Sequence, residues 1–443
     1  MLCITVSRYP VTYQETLDFL FPLHRFGIKP GLERVRMLLQ AAGSPERSLG
    51  MVVHVAGTNG KGTAASAMAS MFTAAGKKTA LYTSPHLVDF TERIRIDGRR
   101  IPEDAAARYA TLLKPAALEH QSTFFEVTTA IAFAWFADCG VEVSVLETGM
   151  GGRLDATNVV ESDYAVLTRI GLDHTEWLGS TISAIAGEKA AIIKPSSRVF
   201  TSINPDADPG QSEAFGPVRD AAQGCGAPLQ VVGRDFSFGG VVAEPGLLQL
   251  DVVTASCHYK GLRVPVTGAF HAPGIATAVA VAEDAGVGPE AVREGLDALA
   301  STGYRGRLEL LGHRPDTFLD VSHNADGMRA TVDALMPFLS RYRDARVLFG
   351  LVSDKDSESM IRELMRLRCR FATTGLPSER GVASEELAEI CRGLGAEAVA
   401  FSSPPEALQF LREEASPDSL ILITGSFYLA GALLEKGTAG KAG

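Results

Sequence analysis

The sequence predicts a two-domain α/β protein in which each domain is built on a mostly parallel β-sheet. The chain has 443 residues, which is too long for one ordinary hydrophobic core. Short β-branched runs alternate with longer Ala- and Leu-rich stretches, a pattern typical of βαβ units. Hydrophobic residues make up 46% and charged residues 21% of the chain, the composition of a globular protein.

The first half of the chain contains five predicted strands with helices between them. The strands are expected at residues 51–56, 78–83, 141–147, 164–170 and 198–203. The helices are expected at about residues 62–76, 103–118, 125–138, 181–191 and 211–224. The segment 229–268 differs, because short alternating strands and many glycines predict a small antiparallel patch at the edge of this domain.

A second α/β series follows, and it predicts a smaller C-terminal domain. Its strands are expected at residues 317–322, 345–352, 370–374, 397–402 and 420–426. Ser-Thr-Gly and Arg-Gly pieces near residue 300 suit a hinge between domains. We therefore predict domains at residues 1–299 and 300–443.

Charge and composition exclude several classes of protein. The formal net charge of −10 argues against a broad nucleic-acid surface, so any anionic ligand must be held by local loops and a few cations. No apolar run is long enough for a signal peptide or a membrane span. The cysteines lack C-x-x-C or metal-ligand spacing and predict reduced, mostly buried thiols in a cytoplasmic protein. They are Cys3, Cys139, Cys225, Cys257, Cys369 and Cys391.

The stretch HVAGTNGKGT, residues 54–63, lies between a predicted strand and a predicted helix, where nucleotide loops occur. Backbone N–H groups at the helix start would bind phosphate oxygens, and Lys61 would add a positive charge. The alternative is a structural turn with an exposed lysine. The stretch departs from the usual P-loop pattern, because Gly62 replaces the Ser or Thr that holds Mg²⁺. Either Thr63 takes over that task, or Mg²⁺ is held by residues from elsewhere.

Three successive strands end in oxygen or imidazole groups that suit Mg²⁺ or phosphate. Ser84 and His86 follow one strand, Glu147 ends another, and Asp173 and His174 follow a third. Ligands bind at the carboxyl ends of strands in open α/β sheets. Each residue alone also has an ordinary structural explanation, but together they favour a ligand site.

The helix ISAIAGEKAAIIK carries Glu188 and Lys189 among apolar residues. A buried lysine is costly unless its charge is paired or removed. The alternative is that both residues form the solvated face of the helix.

These motifs follow one another as they do in the dihydrofolate synthase/folylpolyglutamate synthase branch of the Mur ligase family, which forms amides at the expense of ATP. The resemblance covers nearly the whole chain. It rests on GTNGKGT, TSPHL, FFEVTTAIAF, LETGMGGRLDATN, GEKAAIIK, GRLE, DVSHNADG and TGSFYLAG.

The resemblance implies a P-loop-type N-terminal domain and a Rossmann-like C-terminal domain, with a glutamate site at the cleft between them. It implies an ATP-dependent acid–amino-acid ligase that adds L-glutamate to dihydropteroate, to folate polyglutamates or to both, through an acyl phosphate. The expected ligands are ATP, L-glutamate, pteroates or folates and Mg²⁺, with no nucleic acid and no membrane. The protein is expected to be monomeric and cytoplasmic.

The same resemblance implies a role for individual residues. The expected catalytic residues are Lys61, His174 and Lys189, the last carbamylated by CO₂ so that it becomes an anion. The expected ATP-binding residues are Gly57, Thr58, Asn59, Gly60, Lys61, Gly62, Thr63, Arg307, Asp320, His323 and Asn324. The expected Mg²⁺ ligands are Ser84, Glu147 and His174. The expected pterin and folate residues are Phe124, Phe125, Glu126, Leu154, Asp155 and Ala156.

The chain departs from the family where a Gln and a nucleotide-contacting Asn are usual, since it has Ala272 and Ile275 after His271. Loss of the amide removes a hydrogen bond worth about 0.5–1.5 kcal/mol. This predicts a weaker or rearranged nucleotide site.

Three rival functions are compatible with parts of this pattern. A ligase acting on a cell-wall precursor is disfavoured by FFEVTTA and GGRLDATN, which are features of the folate branch. An ATP-binding protein without ligase activity stays open because of Ala272 and Ile275. A P-loop GTPase or kinase is disfavoured by Gly62 and by the lack of a base-reading N-K-x-D motif.

Overall fold

The structure is a computed structural model that describes residues 12–27, 29–378 and 380–435. The chain forms two compact units. The first comprises the chain up to Ser84, Phe90–Phe236 and Thr277–Gly295. The second comprises Pro85–Asp89, Ser237–Ala276 and the chain from Leu296 onward. The domain boundary predicted near residue 300 stays a prediction.

The first unit is built on an eight-stranded sheet with the strand order β4-β3-β2-β5-β1-β6-β7-β8. The strands are β1 Met51–Ala56, β2 Thr79–Tyr82, β3 Ile94–Ile96, β4 Arg99–Arg100, β5 Val143–Glu147, β6 Tyr164–Leu167, β7 Arg198–Thr201 and β8 Leu229–Val231. Strand β1 is central and pairs in parallel with β5 and β6. Strands β2, β7 and β8 extend the parallel part, and β3 and β4 add an antiparallel edge.

A three-stranded antiparallel sheet and a six-stranded sheet belong to the second unit. The antiparallel strands are β9 Ser237–Glu244, β10 Leu247–Val253 and β11 His258–Val264. The six-stranded sheet consists of β12 Glu309–Gly312, β13 Asp316–Leu319, β14 Asp344–Phe349, β15 Arg370–Thr374, β16 Ala398–Phe401 and β17 Ser419–Thr424. Its order is β12-β13-β17-β14-β15-β16, and only β12 pairs antiparallel.

The α-helices follow the strands in the alternation that the sequence predicts. From the N-terminus they are α1 Tyr13–Leu20, α2 Glu33–Ala41, α3 Lys61–Ala74, α4 Glu103–Glu119, α5 Phe124–Cys139, α6 Thr175–Leu178, α7 Ile182–Ala190 and α8 Ser212–Cys225. They continue as α9 Ala272–Asp284, α10 Pro289–Asp297, α11 Ala325–Leu335, α12 Ser357–Met365, α13 Ser384–Gly393, α14 Pro404–Glu414 and α15 Phe427–Glu435. Short 3₁₀ turns connect several of them.

The predicted α/β fold class is confirmed, and the central strands explain why it could be predicted. Strands β1 and β5 are buried along nearly their whole length, so they appear in the sequence as continuous apolar runs. The predicted strands and helices lie within a few residues of the observed ones. Helices α1, α2 and α6, the edge strands β3 and β4, and strand β12 were not predicted from the sequence.

Within the part of the chain that the structure describes, no helix is long and apolar enough to cross a membrane. The five described cysteines are free. Cys369 and Cys391 are buried, whereas Cys139, Cys225 and Cys257 are half-buried, so the prediction of mostly buried thiols was wrong for these three. Cys3 lies outside the described residues.

Candidate functional site

The loop after β1 turns sharply into helix α3, and two glycines make the turn possible. A Cβ added at Gly57 would lie 1.9 Å from Oγ1 of Thr168, which leaves no room for a side chain. Gly60 has a φ of 89° and occupies the cap position before Lys61. The first N–H groups of an α-helix have no carbonyl one turn earlier to bind, so this end of α3 attracts anions.

Lys61 lies over this loop. Its Nζ donates to the carbonyl oxygens of Gly57 and Thr58, each at 3.1 Å. The N–H groups of Thr58 and Asn59 bind the carbonyl oxygen of Arg169 at 2.8 and 3.2 Å. The segment after β6 therefore stabilises the conformation of this loop. Lys61 follows the loop as the first residue of α3.

Glu147, Gly62 and Ser84 lie close together in the first unit. Glu147 is buried at the end of β5, and its carboxylate accepts a 3.3 Å hydrogen bond from the N–H of Ser84. A Cβ at Gly62 would lie 3.8–3.9 Å from the two carboxylate oxygens of Glu147. The carboxylate thus faces the position at which an ordinary P-loop carries its metal-binding hydroxyl. Thr63, the next residue of α3, is also buried.

His174 precedes helix α6 and has a left-handed backbone, with a φ of 50°. Its N–H donates to Oδ1 of Asp173 at 3.0 Å, and its Nε2 lies 3.9 Å from Oδ2 of the same carboxylate. Among the described residues, no group of three or more His, Cys, Asp or Glu side chains is gathered as for a metal ion. The predicted set contains only two such residues, His174 and Glu147, together with the hydroxyl of Ser84.

Lys189 is buried in the last turn of α7, with 4% of its surface exposed. In the described part of the chain, its Nζ has no hydrogen bond or ion pair. Burial and, to a smaller extent, the nearby charge of Lys61 lower the pKa of Lys189 to about 7, while the charges of Asp173 and Asp155 oppose this shift. The alternative that Lys189 lies on a solvated face is excluded, and an amine that is neutral in a large fraction of molecules near pH 7 lies among the candidate site residues.

The predicted folate residues Phe125 and Asp155 meet at the loop after β5. A Cβ at Gly149 would lie 2.6–3.0 Å from the ring of Phe125, so the ring rests on the loop backbone. The carboxylate of Asp155 accepts from the N–H groups of Gly149 and Met150 at 2.8 and 2.9 Å. Burial raises the pKa of Asp155, although these hydrogen bonds oppose the shift.

The other predicted folate residues have different surroundings. Glu126 closes a capping box with Thr123 at the start of α5 and forms a 3.0 Å ion pair with Arg34. Phe124 is buried in the hydrophobic core, Ala156 is also buried, and Leu154 is exposed. Glu126 therefore stabilises the start of α5, and Phe124 contributes to the hydrophobic core, independently of any contact with a ligand.

His54 is a residue of this region that the sequence analysis did not select. It is buried in β1, and its Nε2 lies 2.8 Å from Oγ1 of Thr157, which in turn donates to Oδ1 of Asp155 at 2.5 Å. Because the threonine proton is used, Nε2 of His54 must donate. Burial and the charge of Lys194 lower the pKa of His54 to about 3. The signal in the sequence is a lone histidine inside the apolar run MVVHVA.

In the second unit, Asp320 is a buried brace for the residues around Arg307. Its Oδ2 accepts from the N–H of Leu308 at 2.9 Å, and its Oδ1 accepts from the N–H of Ser322 and the hydroxyl of Thr331, each at 2.9 Å. Leu308 is the chain neighbour of Arg307. Asp320 therefore positions the arginine through the backbone.

Arg307 and His323 converge on an aromatic ring that the sequence analysis did not select. The guanidinium carbon of Arg307 lies 5.0 Å from the centre of the Phe427 ring, and the His323 and Phe427 rings are 5.6 Å apart. Asn324 caps helix α11 by accepting from the N–H of Gly327 at 2.8 Å. Phe427 begins α15, after the last strand, within the TGSFYLAG motif.

The two departures from the family pattern are fully buried. Ala272 and Ile275 have no exposed surface, and the neighbouring His271 is also buried. Burial and the charge of Arg307 lower the pKa of His271 to about 3. The side chain of Ile275 belongs to the interior, and it offers no polar group to a nucleotide.

Comparisons with known proteins identify the family to which the chain belongs. Residues 55–218 match the Mur ligase middle domain, and residues 306–427 match the Mur ligase, glutamate ligase domain. The chain thus has the two domains of a Mur-type ligase. The dihydrofolate synthase/folylpolyglutamate synthase of Bacillus subtilis is 33% identical over 94% of this chain and 97% of that protein. The chain belongs to the dihydrofolate synthase/folylpolyglutamate synthase family.

Further similarities cover nearly the whole fold. Escherichia coli FolC in complex with DHPP and ADP has a TM-score of 0.86 at 30% identity, covering 98% of this chain and 99% of that one. The Yersinia pestis bifunctional synthase complexed with AMPPNP and Mn ion has a TM-score of 0.83 at 30% identity, covering 96% and 98%. A probable bifunctional folylpolyglutamate synthase/dihydropteroate synthase of Haloferax volcanii is 35% identical over 94% of this chain, which spans 49% of that relative.

Proposed function

We propose that this protein is an ATP-dependent ligase that joins L-glutamate to dihydropteroate and to folate glutamates. The observation that carries the proposal is the phosphate loop in which Gly62 faces the buried carboxylate of Glu147. The family models and the relatives named above support the same class of reaction.

The reaction brings together two anions, ATP and a substrate carboxylate, so the protein must neutralise charge and align the reactants. The γ-phosphoryl group passes to the carboxylate and gives an acyl phosphate. The amine of glutamate attacks the acyl carbon, phosphate leaves, and the amine loses a proton as the amide forms. The start of α3 and Lys61 bind phosphate oxygens, and Arg307, braced by Asp320, adds a second cation.

Ser84, Glu147 and His174 supply the oxygen and imidazole donors that fit Mg²⁺. When bound, the ion would neutralise phosphate charge. Because its pKa is about 7, roughly half of Lys189 is neutral near pH 7, and the neutral Nζ could add to CO₂, releasing one proton and forming a carbamate. A carbamate would replace a buried cation with an anion suited to a metal site.

The function is tested by following ADP release with ATP and L-glutamate, with dihydropteroate in one reaction and tetrahydrofolate in another. We expect glutamate-dependent release with both substrates. ADP release with only one of the two substrates would restrict the proposal to that activity. ATP cleavage that does not depend on glutamate would overturn it.

The role of Lys189 is tested by Lys189→Ala in the same assay. We expect loss of most turnover with an unchanged thermal transition, because Nζ of Lys189 has no hydrogen bond or ion pair to any residue that the structure describes. The control is Lys194→Ala, which removes a half-buried lysine of the same unit and should keep turnover. Near wild-type glutamate-dependent ADP release by Lys189→Ala would sink the carbamate proposal.

A further inference from the structure

The second unit contains a cavity lined by four arginines at the amino-terminal edge of its six-stranded sheet. The cavity has a volume of about 660 Å³, which is within the usual range for small-molecule sites. Arg343 precedes β14, Arg346 lies in β14, Arg368 precedes β15, and Arg370 begins β15.

The cavity lies away from the residues assigned to the nucleotide. Asp320 and His323 follow the carboxyl end of β13, and Phe427 follows the carboxyl end of β17. The arginines lie at the opposite ends of parallel strands, and β14 has six residues, a length of about 20 Å. An occupant of the cavity would not share the nucleotide residues.

Two of the four arginines are neutralised by their neighbours. Arg346 is buried and binds Oδ2 of Asp344 through Nε and Nη2, at 3.1 and 2.9 Å. Arg370 forms a 2.9 Å ion pair with Glu397. Both pairs line the cavity, and their carboxylates offset the charge of these two arginines.

Arg343 and Arg368 are different, because neither guanidinium has a hydrogen bond or ion pair within the described residues. Arg368 also has a left-handed backbone, with a φ of 52°, a conformation that Gly or Asn adopts more easily. One carboxylate, that of Glu414, lines the cavity without an ion pair among the described residues. Two cations thus face the cavity against one anion, in a chain whose net charge is −10.

We propose that this cavity binds a small molecule with two anionic groups, one for Arg343 and one for Arg368. The planar guanidinium fork binds both carboxylates and phosphates in a bidentate manner. The ligand is therefore a dicarboxylate or a diphosphate. This site goes beyond the proposed ligase reaction, and no residue of that reaction lines it.

The test titrates the full chain with inorganic pyrophosphate and, separately, with glutarate, by calorimetry with ADP and Mg²⁺ at saturation so that the phosphate loop is filled. The variant is Arg343→Gln/Arg368→Gln. The matched control is Arg329→Gln/Arg362→Gln, which removes two exposed arginines of the same unit that do not line the cavity. Both variants should keep glutamate-dependent ADP release.

We expect the cavity variant to weaken binding by about tenfold or more, and the control by less than about twofold. Binding of pyrophosphate alone identifies a diphosphate site, and binding of glutarate alone identifies a dicarboxylate site. The proposal is overturned if neither dianion binds the wild-type chain at about 10 mM, or if the cavity variant binds as tightly as the wild type.

Discussion

Because Lys189 is buried and Lys61 lies within electrostatic range, its ammonium form is disfavoured and its pKa falls to about 7. The neutral amine, which alone adds to CO₂, therefore becomes the major form as the pH rises through about 7. Lys194 has a lowered pKa for the same reason, but it is only half-buried. At this scale, the depth of burial distinguishes a candidate nucleophile from an ordinary surface cation.

We predict that carbamate formation at Lys189 increases between pH 6 and pH 8 at a fixed concentration of dissolved CO₂. The measurement is carbon-13 NMR of the protein with labelled bicarbonate. Lys189→Ala should remove the carbamate signal, and Lys194→Ala should retain it. A signal that does not depend on pH, or that survives in Lys189→Ala, would contradict the prediction.

Ile275, which replaces the usual Asn of the family, is packed in the protein interior. The side chain has no exposed surface, so an amide at this position would lose its contact with water. We predict that Ile275→Asn lowers the free energy of unfolding by about 2–4 kcal/mol and does not tighten ATP binding. Denaturation and nucleotide titration measure the two effects. Ile275→Val, the control, should cost about 1 kcal/mol, and tighter ATP binding by Ile275→Asn would show that the amide reaches the nucleotide.

At the scale of elements, the candidate residues lie where strands end and helices begin. Glu147 ends β5, Lys61 begins α3, Phe427 begins α15 and Asn324 caps α11. Buried strands cannot carry polar groups cheaply, so such groups collect at the carboxyl ends, where loops can bind ligands. Asp320 is the clearest example, because its carboxylate binds the backbone before β12, the loop after β13 and a threonine of helix α11.

We predict that Asp320→Ala destabilises the protein by about 2–4 kcal/mol, because two buried donors and one half-buried donor lose their acceptor. ADP release should fall at least tenfold through displacement of Arg307. Thermal unfolding and the KM for ATP are the measurements. Asp354→Ala, which removes a carboxylate with only a 3.9 Å ion pair, is the control. Unchanged KM and turnover in Asp320→Ala would show that Arg307 needs no brace.

At the scale of the whole molecule, the sequence predicted what local patterns determine. The buried strands, the glycine-rich loop after β1 and the polar residues that follow individual strands are each local in the chain, so they could be recognised. The pairing of β12 with β13, the contact of His54 with Thr157 and the approach of Arg307 to Phe427 depend on residues far apart in sequence. Periodicity carries no information on such pairs, and the cavity arginines were missed for the same reason.

Metal and nucleotide binding should together stabilise the folded chain. ATP with Mg²⁺ should raise the unfolding temperature more than ATP with a chelator does, since a ligand stabilises the state that binds it. Glu147→Gln should lose this metal-dependent increment and at least about 100-fold of turnover, while keeping its own unfolding temperature near that of the wild type. The amide oxygen of Gln can still accept from the N–H of Ser84, so the local structure is preserved.

Glu46→Gln, a substitution of another glutamate in the first unit, is the control and should retain the increment. An equal response to Mg²⁺ in Glu147→Gln and the wild type would remove Glu147 from the metal site.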